Sequence, residues 1–149
     1  FGIYTQSELE ARADIMYETY VKTIKIEANT MIHMAAKHYI PTVIGYTTRL
    51  AQSITAVASA CPEAELSVQR GLLKDVSARL AEASAALEQL KPLMDRVDAI
   101  QYVKEMAIAY RTAVVPAMDA LRYPIDQLEL MVDKSIWPVP TYGDLMFEV

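Results

Sequence analysis

The residues that could support metal or acid–base chemistry are few, and their spacing does not group them. The histidines, His33 and His38, stand five positions apart in a long apolar stretch. On an α-helix, at about 100° per residue, their side chains would point roughly 140° apart and could not share a metal ion. A di-iron site would need a glutamate three residues before each histidine, but Thr30 and Ala35 stand there. We therefore expect one packed and one exposed histidine, and no metal centre.

Other reactive side chains are equally isolated. Cys61 is the sole cysteine, which excludes an intrachain disulfide and fits a reducing compartment, most simply the cytoplasm. It stands beside Pro62 at a predicted helix start, where a thiol can become reactive, although a small cap or core residue is the favoured interpretation. Glu27 lies near Lys25 and is expected to form a salt bridge or an interface contact. No nucleophile–base pair, oxyanion hole or phosphate-binding glycine loop is found, so catalytic and cofactor-binding residues are not predicted.

Composition points to a helical domain. The chain has 149 residues and a mass of 16.6 kDa, is 53% hydrophobic, and contains 4 glycines among many alanines. Alanine favours helix and scarce glycine leaves few hairpin turns, which argues against an all-β sandwich and a nucleotide-binding α/β domain. The net charge of −5 argues against a nucleic-acid partner, and the sequence has no apolar run of about 18 residues that could span a membrane. The chain begins at Phe1, and we expect it to be a piece of a longer protein.

The first predicted helix opens with a capping box at Thr5 and carries an apolar stripe at spacings of three and four. Pro41 should kink or break this helix, because proline removes a hydrogen bond and clashes with the preceding turn. A continuation to Ala60 is expected beyond it. The predicted stripe consists of Leu9, Ala13, Met16, Tyr20, Ile24, Ala28, Met31 and Ala35.

The second and third predicted helices follow the boundary at Cys61 and Pro62. The second carries the most regular pattern of the chain, an alternating three–four seam typical of a helix with a long antiparallel partner. A turn or kink is expected between Lys91 and Asp98, and the third helix should kink at Pro116. Pro124 is predicted to begin a short helix, Ile125 to Val132. The seam reads Leu73, Val76, Leu80, Ala83, Leu87, Leu90, Met94 and Val97; the third stripe reads Ile100, Val103, Met106 or Ala107, Tyr110, Val114, Met118 and Leu121.

The sequence changes character from Asp133, with two prolines, a glycine and the sole tryptophan. This composition is incompatible with one regular helix but too apolar for a loose end. We predict an extended arm that docks outside its own bundle, with Trp137, Tyr142, Leu145 and Phe147 as interaction residues. The predicted fold is thus all-α: an antiparallel bundle of about three long, proline-kinked helices plus a short helix over residues 1–132, and an extended C-terminal docking tail over residues 133–149.

A family resemblance is carried by the carboxyl-terminal stretch, which reads IWPVPTYGDLMFEV over residues 136–149. It resembles the end of type III glutamine synthetases, the large-subunit class found mainly in bacteria. The resemblance continues upstream through VPAMDALR at 115–122, DQLE at 126–129 and YVKTIKIEA at 20–28. The tail is the specific part, because two prolines and three aromatic residues in a fixed order do not arise from helix periodicity.

The resemblance implies a parent enzyme that makes glutamine from glutamate and ammonia, using ATP and Mg²⁺ or Mn²⁺. It implies no catalytic, cofactor-binding or metal residue in this chain, because the family's active site lies in the upstream catalytic domain. The implied partners are that domain and other copies of the subunit, in a homo-oligomer of stacked rings. The chain alone is expected to be inactive and to serve structure and assembly.

Two alternatives stand beside this interpretation. The chain could be a stand-alone helical protein-interaction module that dimerises through the seam from Leu73 to Val97. It could also be a small bundle enzyme or sensor with a ligand between its helices, although no sequence feature favours this.

Overall fold

A computed structural model describes residues 2–140 and the backbone of residues 142–147, with the side chains of residues 144–146 in that last segment. This part of the chain is all-helical and contains no β-strand. Nor does it contain a helix that is both long and apolar enough to cross a membrane. Its α-helices are α1 (Gln6–Met34), α2 (Ile40–Ala60), α3 (Ser67–Asp98), α4 (Val103–Ala109), α5 (Val115–Met131) and α6 (Tyr142–Phe147).

Helix α1 begins as the sequence predicts. The backbone N–H of Glu8 donates to the Thr5 hydroxyl, and the backbone N–H of Thr5 donates to the Glu8 carboxylate at 2.6 Å, which completes the capping box. The buried face differs from the predicted stripe: Leu9 and Met16 are exposed, whereas Val21 is buried. The predicted stripe packs against the core from Tyr20 onward, through Ile24, Ala28, Met31 and Ala35, and Tyr17, Val21 and Ile32 join it.

The helical path runs through the prolines. A π-helical turn, Ala35–Tyr39, joins α1 to α2 two residues before Pro41, and a second, Tyr110–Val114, joins α4 to α5 two residues before Pro116. In the first turn the Ile40 N–H donates to the Ala35 carbonyl, five residues back. A π-helical turn is wider than an α-helical turn, which gives the proline ring room against the preceding carbonyls. Pro41 therefore does not break the helix, and bending of the axis remains a prediction.

Helix α3 supplies the centre of the core. The buried residues of α3 lie on the predicted seam: Val76, Ala83 and Leu90 are fully buried and Val97 nearly so, at intervals of seven residues. The other leucines of the seam, Leu73, Leu80 and Leu87, are half-buried. Pro92 lies within the helix, so the turn expected between Lys91 and Asp98 comes later, after α3 ends at Asp98.

The third helical stretch is longer than predicted. The expected inward residues are buried from Ala107 through Leu121, but α5 then continues to Met131 with Pro124 inside it. The separate short helix predicted from Ile125 is therefore wrong. A proline inside a helix costs about 3 kcal/mol. Burial of apolar side chains on α5 offsets this cost. Leu121, Ile125 and Leu128 are buried, and burial of each large apolar side chain stabilises the fold by about 1.5–3 kcal/mol.

Side-chain pairs show how the helical stretches run relative to α3. The first stretch is α1 and α2 with the π-helical turn between them, and the third is α4 and α5 with the second π-helical turn between them. Tyr110 contacts Asp98 near the end of α3, and the Arg79 guanidinium lies 5.9 Å from the ring centroid of Tyr123. The third stretch therefore runs antiparallel to α3. Lys25 of α1 also reaches Asp98, whereas the end of α2 adjoins the start of α3, so the first stretch is antiparallel to α3 as well.

Truncation of Leu90 tests the position of the core. Leu90→Ala should lower the free energy of unfolding by about 2–5 kcal/mol, because Leu90 is fully buried on α3 and its removal leaves a cavity. Urea unfolding followed by circular dichroism measures the change. Leu87→Ala, one helical turn away on the half-buried flank of the seam, is the matched control and should cost less. Equal losses for the two variants would contradict this placement of the core.

Candidate interaction surface

The segment after α5 is held by local polar contacts. The Asp133 carboxylate accepts hydrogen bonds from the backbone N–H and the hydroxyl of Ser135, at 2.9 and 2.8 Å, and a short 3₁₀ turn, Lys134–Ile136, follows. These hydrogen bonds hold the pKa of Asp133 below its ordinary value. Lys134 forms an ion pair with Asp144 of α6. The tail is thus a folded segment with two short helical pieces, whereas the sequence predicted an extended arm.

Trp137 anchors the tail to the chain's own helices. Its indole stacks on the ring of Tyr39, with centroids 5.1 Å apart and planes inclined by 30°, and only 7% of the residue is exposed. The expectation that Trp137 docks outside its own bundle is therefore corrected, because the π-helical turn before Pro41 carries Tyr39 to meet it. Burial, with the charges of Glu129 and Asp126, raises the pKa of Tyr39 above its ordinary value.

The Trp137 ring nitrogen Nε1 is buried and has no hydrogen-bond partner within the described residues. An unmet indole N–H is unfavourable in an apolar setting, so the stacking and burial of this ring must offset its cost. The tail residues nearest to it, Ile136 and Val139, are half-buried against the same core. Trp137 is therefore a structural anchor of this chain.

Beyond the anchor, the tail leaves apolar side chains in solvent. Leu145 is 72% exposed and Met146 58% exposed on α6. The side chains of the other two predicted interaction residues, Tyr142 and Phe147, lie outside the described residues. Of the four candidates, the structure places Leu145 where a second surface could cover it.

A shallow groove lies between the first helical stretch and α5, formed by two depressions that share Met31 and Arg122. Met31 lines both of its depressions, of about 290 and 460 Å³, and Leu121 and Met118 add to its apolar walls. Glu27 and Arg122 stand at the edges. Glu27, expected in a salt bridge or an interface, is thus an exposed residue beside an open groove.

One polar cluster joins the three helical stretches. The Lys25 ammonium donates to Asp98 Oδ2, and the Tyr110 hydroxyl donates to Asp98 Oδ1, both at 2.6 Å. Burial disfavours the charged form of Asp98, but the hydrogen bonds from Lys25 and Tyr110 outweigh it, so the pKa of this carboxyl lies below its ordinary 3.8. Burial also raises the pKa of Tyr110, and the hydrogen bond to Asp98 raises it further. Lys25, Asp98 and Tyr110 line none of the depressions described for this part of the chain, so we interpret the cluster as a structural tie.

The sequence contains one signal for this cluster. Tyr110 lies on the inward stripe of its helix, and a buried tyrosine hydroxyl needs a polar partner. Asp98 and Lys25 could not be identified as partners of this hydroxyl from the sequence, because that requires the position of the turn after α3 and the antiparallel pairing of the helices.

The histidines do not lie as predicted, whereas Cys61 is a helix cap, one of the two roles that the favoured interpretation gave it. His33 and His38 are both exposed, and their ring centroids are 5.7 Å apart in an edge-to-face arrangement. The expectation that they point apart is wrong, because a π-helical turn intervenes. Cys61 is exposed and caps the end of α2, six residues before α3 begins, so no helix N-terminus activates it. Across the described residues, no three His, Cys, Asp or Glu side chains group as a metal site.

Removal of the Asp98 charge should destabilise the fold in a pH-dependent way. Asp98→Asn should lower the free energy of unfolding by about 1–2 kcal/mol near pH 7, because it weakens both hydrogen bonds. Because the folded-state pKa of Asp98 is lowered, its contribution is complete above about pH 4 and is lost as the pH falls through that lowered pKa. The difference between parent and variant should therefore shrink at low pH.

Urea unfolding at a series of pH values between 7 and 3 measures this difference. Asp95→Asn, at an exposed position one turn earlier on α3, is the matched control and should change stability by less than about 0.5 kcal/mol at every pH. A loss for Asp98→Asn that stays constant down to pH 3 would show that the carboxylate charge contributes nothing.

Comparisons with known proteins show sequence similarity to glutamine synthetases. Residues 1–58, which include α1 and most of α2, match the sequence profile of the glutamine synthetase C-terminal domain. The chain is 28% identical over 149 residues to a glutamine synthetase of Bacteroides fragilis (strain YCH46), with 97% of this chain and 20% of that protein covered. It is 29% identical over 148 residues to a glutamine synthetase of Butyrivibrio fibrisolvens, with 99% and 21% covered.

A third relative is the type-3 glutamine synthetase of Dictyostelium discoideum, which is 27% identical over 150 residues, with 98% of this chain and 20% of that protein covered. The chain thus spans about a fifth of the length of these curated relatives. The family profile over residues 1–58 and the alignments along nearly the whole chain support the resemblance first drawn from the tail: this sequence is similar to a C-terminal region of glutamine synthetases.

Proposed function

We propose that this chain is the C-terminal structural and assembly segment of a glutamine synthetase. The observation that carries the proposal is the alignment of nearly the whole chain with about a fifth of each relative, together with the glutamine synthetase C-terminal domain profile at its start. The parent protein would join ammonia to glutamate at the expense of ATP. The segment itself would contribute an antiparallel helical bundle and no catalytic group.

The ATP and the Mg²⁺ or Mn²⁺ ions of that reaction would bind elsewhere in the longer subunit. They need clustered carboxylates for metal and basic groups for phosphate. The residues described here do not fit this requirement, since no three potential metal ligands group together among them. We therefore derive no step of the reaction from this chain.

The partners we propose are the upstream catalytic domain of the same subunit and further copies of the subunit, in an oligomer of stacked rings. The tail supports this, because Leu145 and Met146 project from α6 into solvent while Trp137 fixes the base of the tail on Tyr39. Exposed apolar side chains on an anchored segment suit a fixed docking contact. We propose a cytoplasmic location and no nucleic-acid or membrane partner.

The α3 seam, the surface that a stand-alone dimerisation module would use, is not exposed in this structure. The seam proposed for dimerisation includes Val76, Ala83 and Leu90, which are fully buried within the chain itself. Helices α2 and α5 both pack against α3. A dimer through that seam would require the helices to separate, so we carry this function no further.

A charge on the tail tests the assembly role. In the whole natural gene product, Leu145→Glu should shift the particle-mass distribution toward smaller species, because it places a charge on an apolar contact. It should leave the helical content and the melting temperature of the segment unchanged, because Leu145 is 72% exposed within the chain. Mass photometry measures assembly, and glutamine formation from glutamate, ammonia and ATP measures activity.

The matched control is Ile15→Glu, which places the same charge at another exposed aliphatic side chain. Ile15 lies on α1 and is 62% exposed. Ile15 precedes Tyr39 by 24 residues, about 36 Å along a helix, so it lies far from the anchored tail. Wild-type particle mass and activity for Leu145→Glu would contradict the assembly role of the tail. Absence of glutamine formation by the parent protein would contradict the proposed enzyme.

A further inference from the structure

The pair formed by His33 and His38 serves neither the core nor the tail. Both side chains are exposed, and their ring centroids lie 5.7 Å apart with the planes inclined by 69°. Two imidazoles at this separation, both open to solvent, are available to a common ligand.

The π-helical turn between them is what brings them together. Ala35–Tyr39 is π-helical, and the Ile40 N–H donates to the Ala35 carbonyl five residues back. In this register residues five apart lie one turn apart on the same face, whereas an uninterrupted α-helix would set them roughly 140° apart. The π-helical turn therefore places His33 and His38, which are five residues apart in the sequence, next to each other.

The inner face of the same turn is fixed. Ala35 is 2% exposed in the core, and Tyr39 stacks on Trp137 with the ring centroids 5.1 Å apart. Because these contacts hold the inner face of the turn, the outer face presents His33 and His38 from a defined backbone. π-Helical turns of this single-turn kind are frequent at functional sites.

We propose that His33 and His38 form a two-imidazole binding site for a divalent first-row transition metal ion of the Cu²⁺, Ni²⁺ or Zn²⁺ class. Imidazole nitrogens suit these ions, whereas Mg²⁺ and Ca²⁺ prefer oxygen ligands. Two imidazoles that bind one ion through nitrogens at about 2.0–2.1 Å have ring centroids about 5 Å apart, which small side-chain rotations reach from 5.7 Å.

Water completes the coordination shell. No third His, Cys, Asp or Glu side chain joins the pair to make a larger cluster within the described part of the chain. Lys37 lies in the same turn and adds a positive charge, which weakens binding without supplying a ligand at neutral pH. The affinity should follow the order expected of open nitrogen sites, with Cu²⁺ bound more tightly than Ni²⁺ or Zn²⁺.

Bound metal would also hold the turn in its π-helical register. The two ring nitrogens can reach one ion only while residues five apart share a face, so an ion bound to both favours the π-helical turn over an α-helical one. Binding that favours the folded state raises the melting temperature as the ion concentration rises.

Copper binding to the whole natural gene product tests the site, with saturating Mg²⁺ present to occupy oxygen-ligand sites. The parent should bind one more equivalent of Cu²⁺ per chain than either His33→Ala or His38→Ala. That equivalent should show coupling to two imidazole nitrogens in its electron paramagnetic resonance spectrum. Lys37→Ala, a change at an exposed position in the same turn, is the matched control and should keep both the equivalent and its spectrum.

A second variant separates the geometry of the π-helical turn from general histidine binding. Asn29→His combined with His38→Ala places two imidazoles four residues apart on α1, a spacing that binds metal on a regular helix. Recovery of the lost equivalent by this double variant, together with the two-nitrogen spectrum of the parent, supports the site. The proposal would be overturned if the double variant bound this equivalent of Cu²⁺ and the parent did not. It would also be overturned if His33→Ala left the spectrum of the parent unchanged.

Discussion

Helix α3 is the element on which the other helices depend. Its buried stripe repeats every seven residues through Val76, Ala83, Leu90 and Val97, and it is covered by α2 on one side and α5 on the other. Most of this stripe is valine and alanine, whose small side chains allow neighbouring backbones to approach closely. Helix α3 has its most extensive contacts with α5 and α2, whereas α1 packs mainly against α4, so loss of α3 packing would leave α2 and α5 without their principal partner.

An apolar stripe of constant period does not by itself fix the register, because a shift by one heptad preserves the match of apolar faces. Asp98 removes this ambiguity. Its two oxygens accept from Lys25 on the first stretch and from Tyr110 on the third, so one carboxylate at the end of α3 defines the position of both neighbours. The tie is effective because Tyr110 is fully buried and its hydroxyl has to be satisfied in the native register.

The sequence predicts the buried faces of α3 and of the third stretch better than the points at which helices begin and end. The seam of α3 and the stripe around Tyr110 follow from side-chain periodicity, which persists wherever a helix is covered on one side. The end of the third stretch could not be predicted, because burial of Leu128 and its neighbours outweighs the local preference of Pro124 to begin a helix. The tail was also determined by a tertiary contact. Its composition indicates that it is apolar, but the inward orientation of Trp137 depends on the contact with Tyr39.

The π-helical turn before Pro41 explains the largest departures together. Buried residues of the first stretch come at intervals of seven, Val21, Ala28 and Ala35, and the next is Val43, eight residues on. The extra residue is the one that a π-helical turn accommodates, so the stripe stays inward beyond the turn. The same insertion turns Tyr39 toward Trp137 and sets His33 beside His38. A change of one residue in the helical period therefore links the core, the anchored tail and the paired imidazoles, and its sequence signature is an eight-residue step, from Ala35 to Val43, that contains a proline.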